Sequence, residues 1–450
     1  MDATNVGKTL MTMSQTDREI LRLAVPAFFA LVSEPLFLLA DTAIVGHLGA
    51  TSLAGLAIAA TIVTTFVGLS IFLAYGTTAS VARHLGAGDL RGALATGMSG
   101  MWLAVILGLG AAIITVVGAP LITGWFGASP QVDAQAVSYL QLAAPGLPAM
   151  FVVLAATGIL RGLQDTRTTL AVAIAANLAN VAFNLVFVYG LDLGIAGSAL
   201  GTTVAQLGAA AAMATVVLRS ATAHGASLRP DRRGIGEVAR TGVPLVARTA
   251  TLRAALVLGT YVASTMSEAS IAAHQITFTV VTTLAFGLDA IAIAGQALTG
   301  RYLGAGDISA TRRVTARMLR WGVGTGGLAA IGLLLASPWL AHAFTTDADV
   351  RALSIPALVV VALVQPLSGV VFVLDGILIG AGDGGYLARA GLVTLAAYAP
   401  LALAVLVLGA GLGWLWAAYA GFIAARMVTL VRRERSDAWL VTGAAGTSRT

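Results

Sequence analysis

The amino-acid sequence predicts an all-α integral membrane protein with twelve transmembrane helices in two six-helix bundles. The chain is 58% hydrophobic and only 10% charged, its mean hydropathy is +0.90, and long apolar runs follow one another with short connectors. A soluble chain would need far more polar residues to cover its core. The runs lack the alternation of membrane β-strands and are too long for them, so we expect helices.

Each apolar run approaches or exceeds the length of about 20 residues that a membrane-spanning helix needs. No cleavable signal peptide is expected, because residues 1–17 lack an apolar core. The absence of cysteine excludes disulfides and thiolate metal sites. The predicted spans are 21–46, 54–82, 93–120, 136–160, 168–190, 194–218, 241–265, 271–300, 314–341, 353–380, 387–409 and 412–431.

The distribution of basic residues predicts the orientation of the chain. From Lys8 to Arg449 they cluster in alternate connectors, whereas the opposite connectors contain only Arg351. This positive-inside pattern, with an even number of spans, predicts that both termini are cytoplasmic. We therefore expect a multi-pass protein of the plasma membrane, in a bacterium the inner membrane. Its formal charge of +6 then serves orientation and contact with anionic lipid, and no nucleic acid is expected as a partner.

The two halves of the chain repeat one another at a constant offset of 218 residues. RHLGAGD (83–89) corresponds to RYLGAGD (301–307), and GILRGLQD (158–165) corresponds to GILIGAGD (376–383). Six spans per half make this a parallel repeat, with a pseudo-two-fold axis normal to the membrane. The predicted organisation is an N-terminal lobe at 18–219, a cytoplasmic linker at 220–237, a C-terminal lobe at 238–432 and a cytoplasmic tail at 433–450.

A duplicated helical bundle of this kind favours a transporter, although channels and membrane enzymes can also be duplicated. The motifs H-E-x-x-H and G-x-S-x-G are absent, and the five histidines show no metal-ligand spacing. The short connectors leave no room for a soluble catalytic domain. We therefore expect no enzyme, no metal site and no cofactor apart from a transported ion.

Charged residues inside the predicted spans need a partner or a function. With a rise of about 1.5 Å per helical residue, Glu34, Arg253 and Asp289 share a depth of roughly 18 to 20 Å from the cytoplasmic arginines. Arg248 and Asp375 lie nearer the cytoplasmic end. Arg253 can therefore pair with Glu34 or Asp289, and Arg248 with Asp375, as structural or gating ion pairs.

Asp41 differs from these residues, because no predicted span offers a base at its depth of about 28 Å. Burial disfavours the charged form of an unpaired carboxyl group, so Asp41 is a candidate for binding a proton near neutral pH. The alternative is that Asp41 caps the next segment or contacts water at the lipid headgroups.

Three asparagines accompany Asp41 in the first half. Asn177, Asn180 and Asn184 lie on one helix face, with Asn184 close to the depth of Asp41, and Gln206 can join them. Amides of this kind also serve as polar contacts between packed helices. The repeat favours a function, because the polar cluster is confined to the first half. The second-half equivalents of Asp41 and the three asparagines are Gly259, Leu395, Tyr398 and Ala402.

Further candidates concern the substrate and the shape of the first helix. We expect a substrate cavity to be lined by Tyr139, Gln206, Glu34 and His274. Pro26 removes a hydrogen bond near the start of the first span, so this helix can bend there. The alternative for Pro26 is an ordinary helix start, since it has a counterpart in Pro244.

The segments PAFFALVSEPLFLLADTAIVGHLGATSLAGLA (26–57), RHLGAGD (83–89) and GILRGLQDTRT (158–168), with their second-half echoes, resemble the multidrug and toxic compound extrusion (MATE) transporters. VLDGILIGAGD (373–383) is most similar to the DNA-damage-inducible subfamily. The resemblance covers about residues 18–430. It implies two lobes around a central cleft and export of organic, often cationic, compounds in exchange for H⁺ or Na⁺.

The resemblance also implies roles for individual residues. The acid and the proline of the family's first helix match Asp41 and Pro26. Some members carry a second acid in the fifth helix, where this sequence has Asn184. Asp41 is then the only acid of its cluster, which favours H⁺, although Asp41 with Asn180 and Asn184 could also ligate Na⁺.

We therefore expect a secondary active antiporter that exports cationic or amphipathic organic compounds, with Asp41 as the proton-binding coupling residue. A small organic substrate and the lipid bilayer are the expected partners, and a monomer is the expected state. The alternatives are a Na⁺-coupled exporter using the same site, and a flippase that holds a lipid-linked phosphate with Arg248 and Arg253. An uncoupled channel would not need a proton-binding acid.

Overall fold

The computed structural model describes residues 14–444, and the regular elements in this range are helices. Lys8 and Arg449, which contribute to the predicted charge pattern, lie outside the described residues. The α-helices are α1 (Gln15–Gly46), α2 (Ala50–Leu69), α3 (Phe72–Gly86), α4 (Leu90–Gly124), α5 (Pro130–Ala143), α6 (Leu147–Gly162), α7 (Thr166–Leu185), α8 (Gly194–Ala223), α9 (Arg232–Ser264), α10 (Glu268–Gly304), α11 (Ile308–Phe344), α12 (Ala348–Gly380), α13 (Gly384–Leu408) and α14 (Leu412–Arg435).

Three of the predicted spans are not uniform α-helices. α2 and α3 meet at Ser70 and Ile71, α5 and α6 are joined by a 3₁₀ turn at Ala144–Gly146, and α7 continues as a π-helix at Val186–Gly190. With these segments joined, twelve helical stretches within residues 14–444 are long and apolar enough to cross a membrane. The predicted all-helical architecture with twelve spans is therefore confirmed.

The glycine-rich turns that follow α3 and α10 share one design. Gly88 and Gly306 have positive φ angles of 77° and 76°, which an L side chain rarely adopts. The next residues, Asp89 and Asp307, each accept a hydrogen bond from a backbone N–H three positions later, at 2.7 and 2.8 Å. These bonds favour the charged carboxylate and lower the pKa of both aspartates. The LGAGD segments are therefore turns whose aspartates cap the following helix.

The chain forms two compact units. The first unit is Phe29–Val246, and the second combines the described residues up to Phe28 with those from Ala247 onward. The two dividing points lie inside α1 and α9 and are 218 residues apart, the offset of the sequence repeat. The units therefore divide the chain at other positions than the predicted lobes 18–219 and 238–432. Within the predicted linker, only residues 224–231 lie between helices.

The first unit has a core of large apolar side chains. The indole of Trp102 closes it on one side and donates a hydrogen bond to the carbonyl oxygen of Leu228 at 3.0 Å. Burial of these side chains fixes the helices that carry the polar residues described below. The fully buried members with the largest side chains include Leu73, Leu94, Leu140, Leu147, Phe151, Ile159 and Met213.

In the second unit, α12 packs closely against α10 and α11 through small residues. A methyl group at Gly322 would lie 2.6 Å from the carbonyl oxygen of Gly369, and one at Gly376 would overlap the carbonyl oxygen of Ala292. Within a bilayer, such backbone approach replaces the hydrophobic effect as a source of helix association. The glycines at these positions therefore determine how closely the helices pack.

We predict that Gly322→Ala lowers the stability of the protein, because the new methyl group must displace Gly369. The expected cost is about 1 to 3 kcal/mol, as for other overpacked sites. Gly324→Ala, two residues away on α11, is the matched control because nothing lies within 4 Å of its added methyl group. The measurement is thermal unfolding in detergent, and equal melting temperatures for the two variants would contradict the assigned packing.

Candidate functional site

Asp41 is a buried carboxylate bound by neutral groups. Asp41 lies on α1 in the first unit, and the residue is 5% exposed. The Oδ1 atom accepts one hydrogen bond from the Asn184 amide and one from the Ser198 hydroxyl, each at 2.7 Å. Among the described residues, no arginine, lysine or histidine forms an ion pair with it. The donors that the described residues offer to Asp41 are thus neutral dipoles, and the group is buried.

The hydrogen-bond network continues from Asn184 along two helices. The Asn184 amide also donates to Oδ1 of Asn180 at 2.9 Å, and the Asn180 amide donates to Oγ1 of Thr202 at 3.0 Å. All three residues are buried. The hydroxyl group of Tyr139 interacts with Ser198, Thr202 and the charge of Asp41. Asp41 therefore belongs to a connected polar cluster inside one unit.

A glycine makes room for this cluster. A methyl group at Gly201 on α8 would overlap Oδ1 of Asn184 and lie 3.1 Å from its backbone nitrogen. Oδ1 of Asn184 is buried and has no hydrogen-bond partner among the described residues. The close approach of α7 and α8 at Gly201 thus fixes the position of the Asn184 amide that contacts Asp41.

Two of the predicted cluster members lie outside the network. Asn177 donates to the backbone carbonyl oxygen of Ser33 at 3.2 Å, so it has the helix-packing role that was the alternative for these amides. Gln206 is partly exposed and forms no hydrogen bond with the Asp41 cluster. The i, i+3 and i+7 spacing predicts a common face, but small rotations decide which amide reaches the carboxylate. Glu34 is exposed on α1.

The sequence prediction missed Ser198 and Thr202. They are one helical turn apart on α8 and both face the cluster. Hydroxyl residues are frequent in apolar helices, where they commonly bond the preceding turn. The missing signal was their i, i+4 spacing opposite the asparagine stripe.

The second unit contains a different arrangement of charge. The predicted contact between Arg248 and Asp375 is present, with Nε of Arg248 donating to Oδ1 at 3.3 Å and its Nη2 donating to Oδ2. Arg426 also donates to Oδ2, at 2.5 Å. The three side chains are only 9 to 12% exposed. Arg426 was predicted as a cytoplasmic orientation residue, and the structure instead makes it a second partner of Asp375.

The surroundings of Arg253 bear on the ion pair that was predicted for it. The Arg253 side chain lines a cavity with Thr260, Tyr261 and Ser264. It forms no ion pair with another described residue of the second unit. Asp289 lies at a similar depth on α10 and is partly buried. Equal depth along the helices does not fix the direction of a side chain around its helix axis, so the pairing of Arg253 stays a prediction. His274 lines a second cavity of the same unit.

Comparison with known proteins places these residues in a family. The family model MatE matches residues 26–186 and 244–407 of the chain. The chain belongs to the MATE family. MATE proteins are membrane transporters for multidrug and toxic compounds, and they are not enzymes. The predicted resemblance and the predicted transporter class are therefore confirmed.

Three relatives match this MATE protein over more than nine tenths of its length. It is 29% identical to Protein DETOXIFICATION 44, chloroplastic, of Arabidopsis thaliana, over 91% of this chain and 80% of the relative. It is 27% identical to DNA damage-inducible protein F of Escherichia coli, with 95% of each chain covered. The identity to a probable multidrug resistance protein NorM of Pseudomonas aeruginosa is 28%, over 92% of this chain and 88% of the relative.

Solved structures support the MATE fold. A MATE transporter in the bent conformation matches with a TM-score of 0.87 at 20% identity, covering 95% of this chain and 96% of the other. A transporter of the MOP superfamily from Pyrococcus furiosus matches with a TM-score of 0.86, also at 20% identity, covering 95% and 97%. At this identity the comparison establishes the fold of this MATE protein and nothing about its ion or substrate.

For this MATE protein, we predict that Gly201→Ala destabilises the fold by displacing Asn184. Overpacking of this kind costs about 1 to 3 kcal/mol. Thermal unfolding in detergent measures the effect, and Gly208→Ala on the same helix is the control, since nothing lies within 4 Å of its added methyl group. In an Asn184→Ala background the cost should shrink. An undiminished cost in that background would show that Gly201 acts elsewhere.

A second prediction concerns the buried charges of this MATE protein. Asp375→Asn leaves the guanidinium groups of Arg248 and Arg426 without their shared carboxylate, so we expect a loss of about 3 to 5 kcal/mol in stability. Asp437→Asn removes the carboxylate of an exposed pair with Arg312, whose side chains are 51 to 57% exposed, and should change the melting temperature little. Similar melting temperatures for both variants would argue against a buried ion cluster.

Proposed function

We propose that this protein is a secondary active antiporter that exports organic compounds in exchange for protons, with Asp41 as the proton-binding residue. The observation that carries this proposal is a buried carboxylate held by neutral donors and lacking a basic partner among the described residues. A carboxyl group in such surroundings is suited to gain and lose a proton within the physiological pH range. A fixed ion pair, like that of Asp375, is not suited to this.

The geometry provides a position for the proton. Both hydrogen bonds to Asp41 reach Oδ1, and Oδ2 accepts none from the described residues. A proton can therefore bind Oδ2 while the Asn184 and Ser198 hydrogen bonds stay in place. Binding changes the local charge from −1 to zero without breaking the network.

Coupling follows if the two charge states favour different conformations and different substrate affinities. In the proposed cycle, a proton binds Asp41 from outside, neutralises the carboxylate, lets the first span repack and weakens the hold on a cationic or amphipathic substrate. Release of the proton to the inside restores the anion and the affinity for substrate. Tyr139 lies beside the carboxylate, so it is the predicted cavity residue best placed to contact a substrate there.

We further propose that both termini are cytoplasmic and that the protein acts as a monomer in the plasma membrane of a bacterium. The basic connectors support the orientation through the positive-inside pattern. They include the segment between α8 and α9, with Arg229. The proposed direction of transport, outward for the organic compound and inward for the proton, depends on this orientation.

A Na⁺-coupled exporter is the second candidate, and one observation favours it. Oδ1 of Asn184 is buried without a hydrogen-bond partner among the described residues. Half a turn of the Asn184 amide would bring this oxygen toward Asp41 and Asn180, and Na⁺, like other hard cations, binds converging oxygen atoms. A flippase gains no such support, because Arg248 already binds Asp375 and a phosphate group would have to compete with that carboxylate.

We predict that substrate binding releases protons from the purified wild-type protein in detergent, and that Asp41→Asn abolishes this signal while the protein stays folded. Asparagine resembles protonated aspartic acid in shape but cannot titrate. The measurement is the pH change of a weakly buffered solution on adding a bound organic compound, and Asp437→Asn is the control carboxylate. The signal should be independent of Na⁺.

Two results would contradict this assignment. A proton signal that persists in Asp41→Asn would move the coupling site to another residue. Substrate binding without proton release, but dependent on Na⁺ in the wild type and not in Asp41→Asn, would establish the sodium alternative at the same site.

A further inference from the structure

The second unit contains a position equivalent to the Asp41 site, and its chemistry has changed completely. The 218-residue offset extends to the last helix of each half, since α8 begins at Gly194 and α14 begins at Leu412. By this offset, Gly259 replaces Asp41, Tyr398 replaces Asn180 and Trp416 replaces Ser198. A carboxylate, an amide and a hydroxyl group have been exchanged for a glycine and two aromatic rings.

These replacements surround a small cavity in the second unit. Rings form most of its wall, and the His274 and Trp416 ring centroids are 5.3 Å apart. Tyr398 and Trp416 are each 3% exposed, and His274 is 5% exposed. The lining residues are Leu256, Gly259, His274, Phe278, Val281, Tyr398, Leu415, Trp416 and Tyr419. The cavity is thus walled mostly by aromatic rings and, at about 20 Å³, has room for about one water molecule, so any larger ligand must displace part of the wall.

Gly259 keeps this space open. A methyl group there would lie 2.8 Å from the hydroxyl oxygen of Tyr398 and 3.9 Å from Cε1 of His274. A larger side chain at position 259 would fill the space that corresponds, in the first unit, to the space of the Asp41 carboxylate. Glycine in a helix costs roughly 0.5 to 1 kcal/mol relative to alanine, so its presence fits a need for space.

Two polar atoms of the wall have no partner. Nδ1 of His274 and Nε1 of Trp416 are buried and form no hydrogen bond with the described residues. On the other side of its ring, Nε2 of His274 is 3.3 Å from Oγ1 of Thr260. The indole N–H can only donate. Leaving a buried donor unpaired costs free energy. A group with a hydrogen-bond acceptor would therefore be stabilised beside this indole N–H.

No carboxylate of the cavity wall is available to pair with a cation, whereas the unpaired indole N–H of Trp416 calls for an acceptor. None of the lining residues is acidic. Leu256 and Phe278 also line a wider cavity of the same unit, which contains the Arg253 side chain. Because the small cavity is narrow in this conformation, we expect a ligand to pass from the wider one by displacing Phe278.

We infer that the cavity around Gly259, Tyr398 and Trp416 is a binding site for a flat aromatic group that carries a hydrogen-bond acceptor, of the kind found in aryl carboxylates. The ring lies between the aromatic walls, and the acceptor oxygen takes the N–H of Trp416. The assignment of this group to the transported compound rests on the proposed function. The binding site itself does not, because binding at equilibrium requires no proton coupling.

The test is equilibrium dialysis of 2-naphthoate against the full-length protein in detergent, with binding to empty micelles subtracted. Cyclohexanecarboxylate has the acceptor without the aromatic ring, and naphthalene has the ring without the acceptor. We expect both to bind at least about tenfold more weakly than 2-naphthoate, since one charged hydrogen bond or one aromatic contact is worth a factor of that order.

Three variants make the test specific to this cavity. Trp416→Phe keeps a ring but removes the N–H, and should weaken 2-naphthoate binding by about tenfold. Gly259→Ala places a methyl group in the cavity and should weaken binding at least as much. Gly413→Ala, whose methyl group meets nothing within 4 Å, should leave the affinity unchanged. Melting temperatures identify any variant that fails to fold.

Unchanged affinity in folded Trp416→Phe and Gly259→Ala would overturn the inference, as would a wild-type affinity no greater than that of empty micelles. The latter result is expected if a structural water, and no ligand, satisfies the two nitrogen atoms. Asp41→Asn separates this inference from the proposed function. If that variant binds 2-naphthoate normally but the wild type shows no proton-coupled export, the site stands and the antiporter proposal fails. If export is normal but 2-naphthoate does not bind, the antiporter proposal stands and the aromatic site fails.

Discussion

The polar chemistry of this protein depends on one constraint: a carboxylate inside a bilayer must be neutralised by charge, by hydrogen bonds or by a proton. Asp41 and Asp375 meet it in opposite ways. Asp375 lies between two guanidinium groups, which hold it as an anion in a buried ion cluster. Asp41 receives only an amide and a hydroxyl group. The first arrangement fixes a charge, and the second leaves the carboxylate without a basic partner among the described residues.

The first helix carries, besides Asp41, a second carboxylate, Asp17, which is held in an ion pair. Near its N-terminus, Asp17 accepts hydrogen bonds from Nε and Nη2 of Arg317 at 2.5 and 2.6 Å, and from the indole of Trp321 at 2.8 Å. Asp41 lies on the same continuous helix but in the other compact unit. Pro26 is between them and lacks the backbone N–H of its helical turn. Between Asp17 and Asp41, α1 therefore contains a turn with one backbone hydrogen bond fewer.

The sequence was sufficient for the architecture because a bilayer leaves few choices of backbone structure. Hydropathy predicted all twelve spans, and the repeated LGAGD segments form matching turns in the two halves. Depth arithmetic also predicted two contacts, Asp41 with Asn184 and Arg248 with Asp375. It missed Ser198 and Arg426, because depth fixes a residue's height along a helix and not its rotation around the axis. An arginine side chain can also contact a partner several ångströms above or below its own Cα atom, and residue numbers alone do not indicate this.

The internal repeat explains why two different polar arrangements, one in each unit, occur on similar backbone structures. The repeat keeps the turns, the helix starts and some glycines of close packing, such as Gly376 and its first-half counterpart Gly158. Side chains that point into a bundle are free to diverge as long as each buried polar group finds a partner. At the Asp41 position the first half retains an acid with neutral donors, whereas the second half removes the acid at Gly259 and surrounds the vacated space with rings. Since a carboxylate and an aromatic cavity would compete for the same volume, the duplicated fold accommodates both by placing one in each unit.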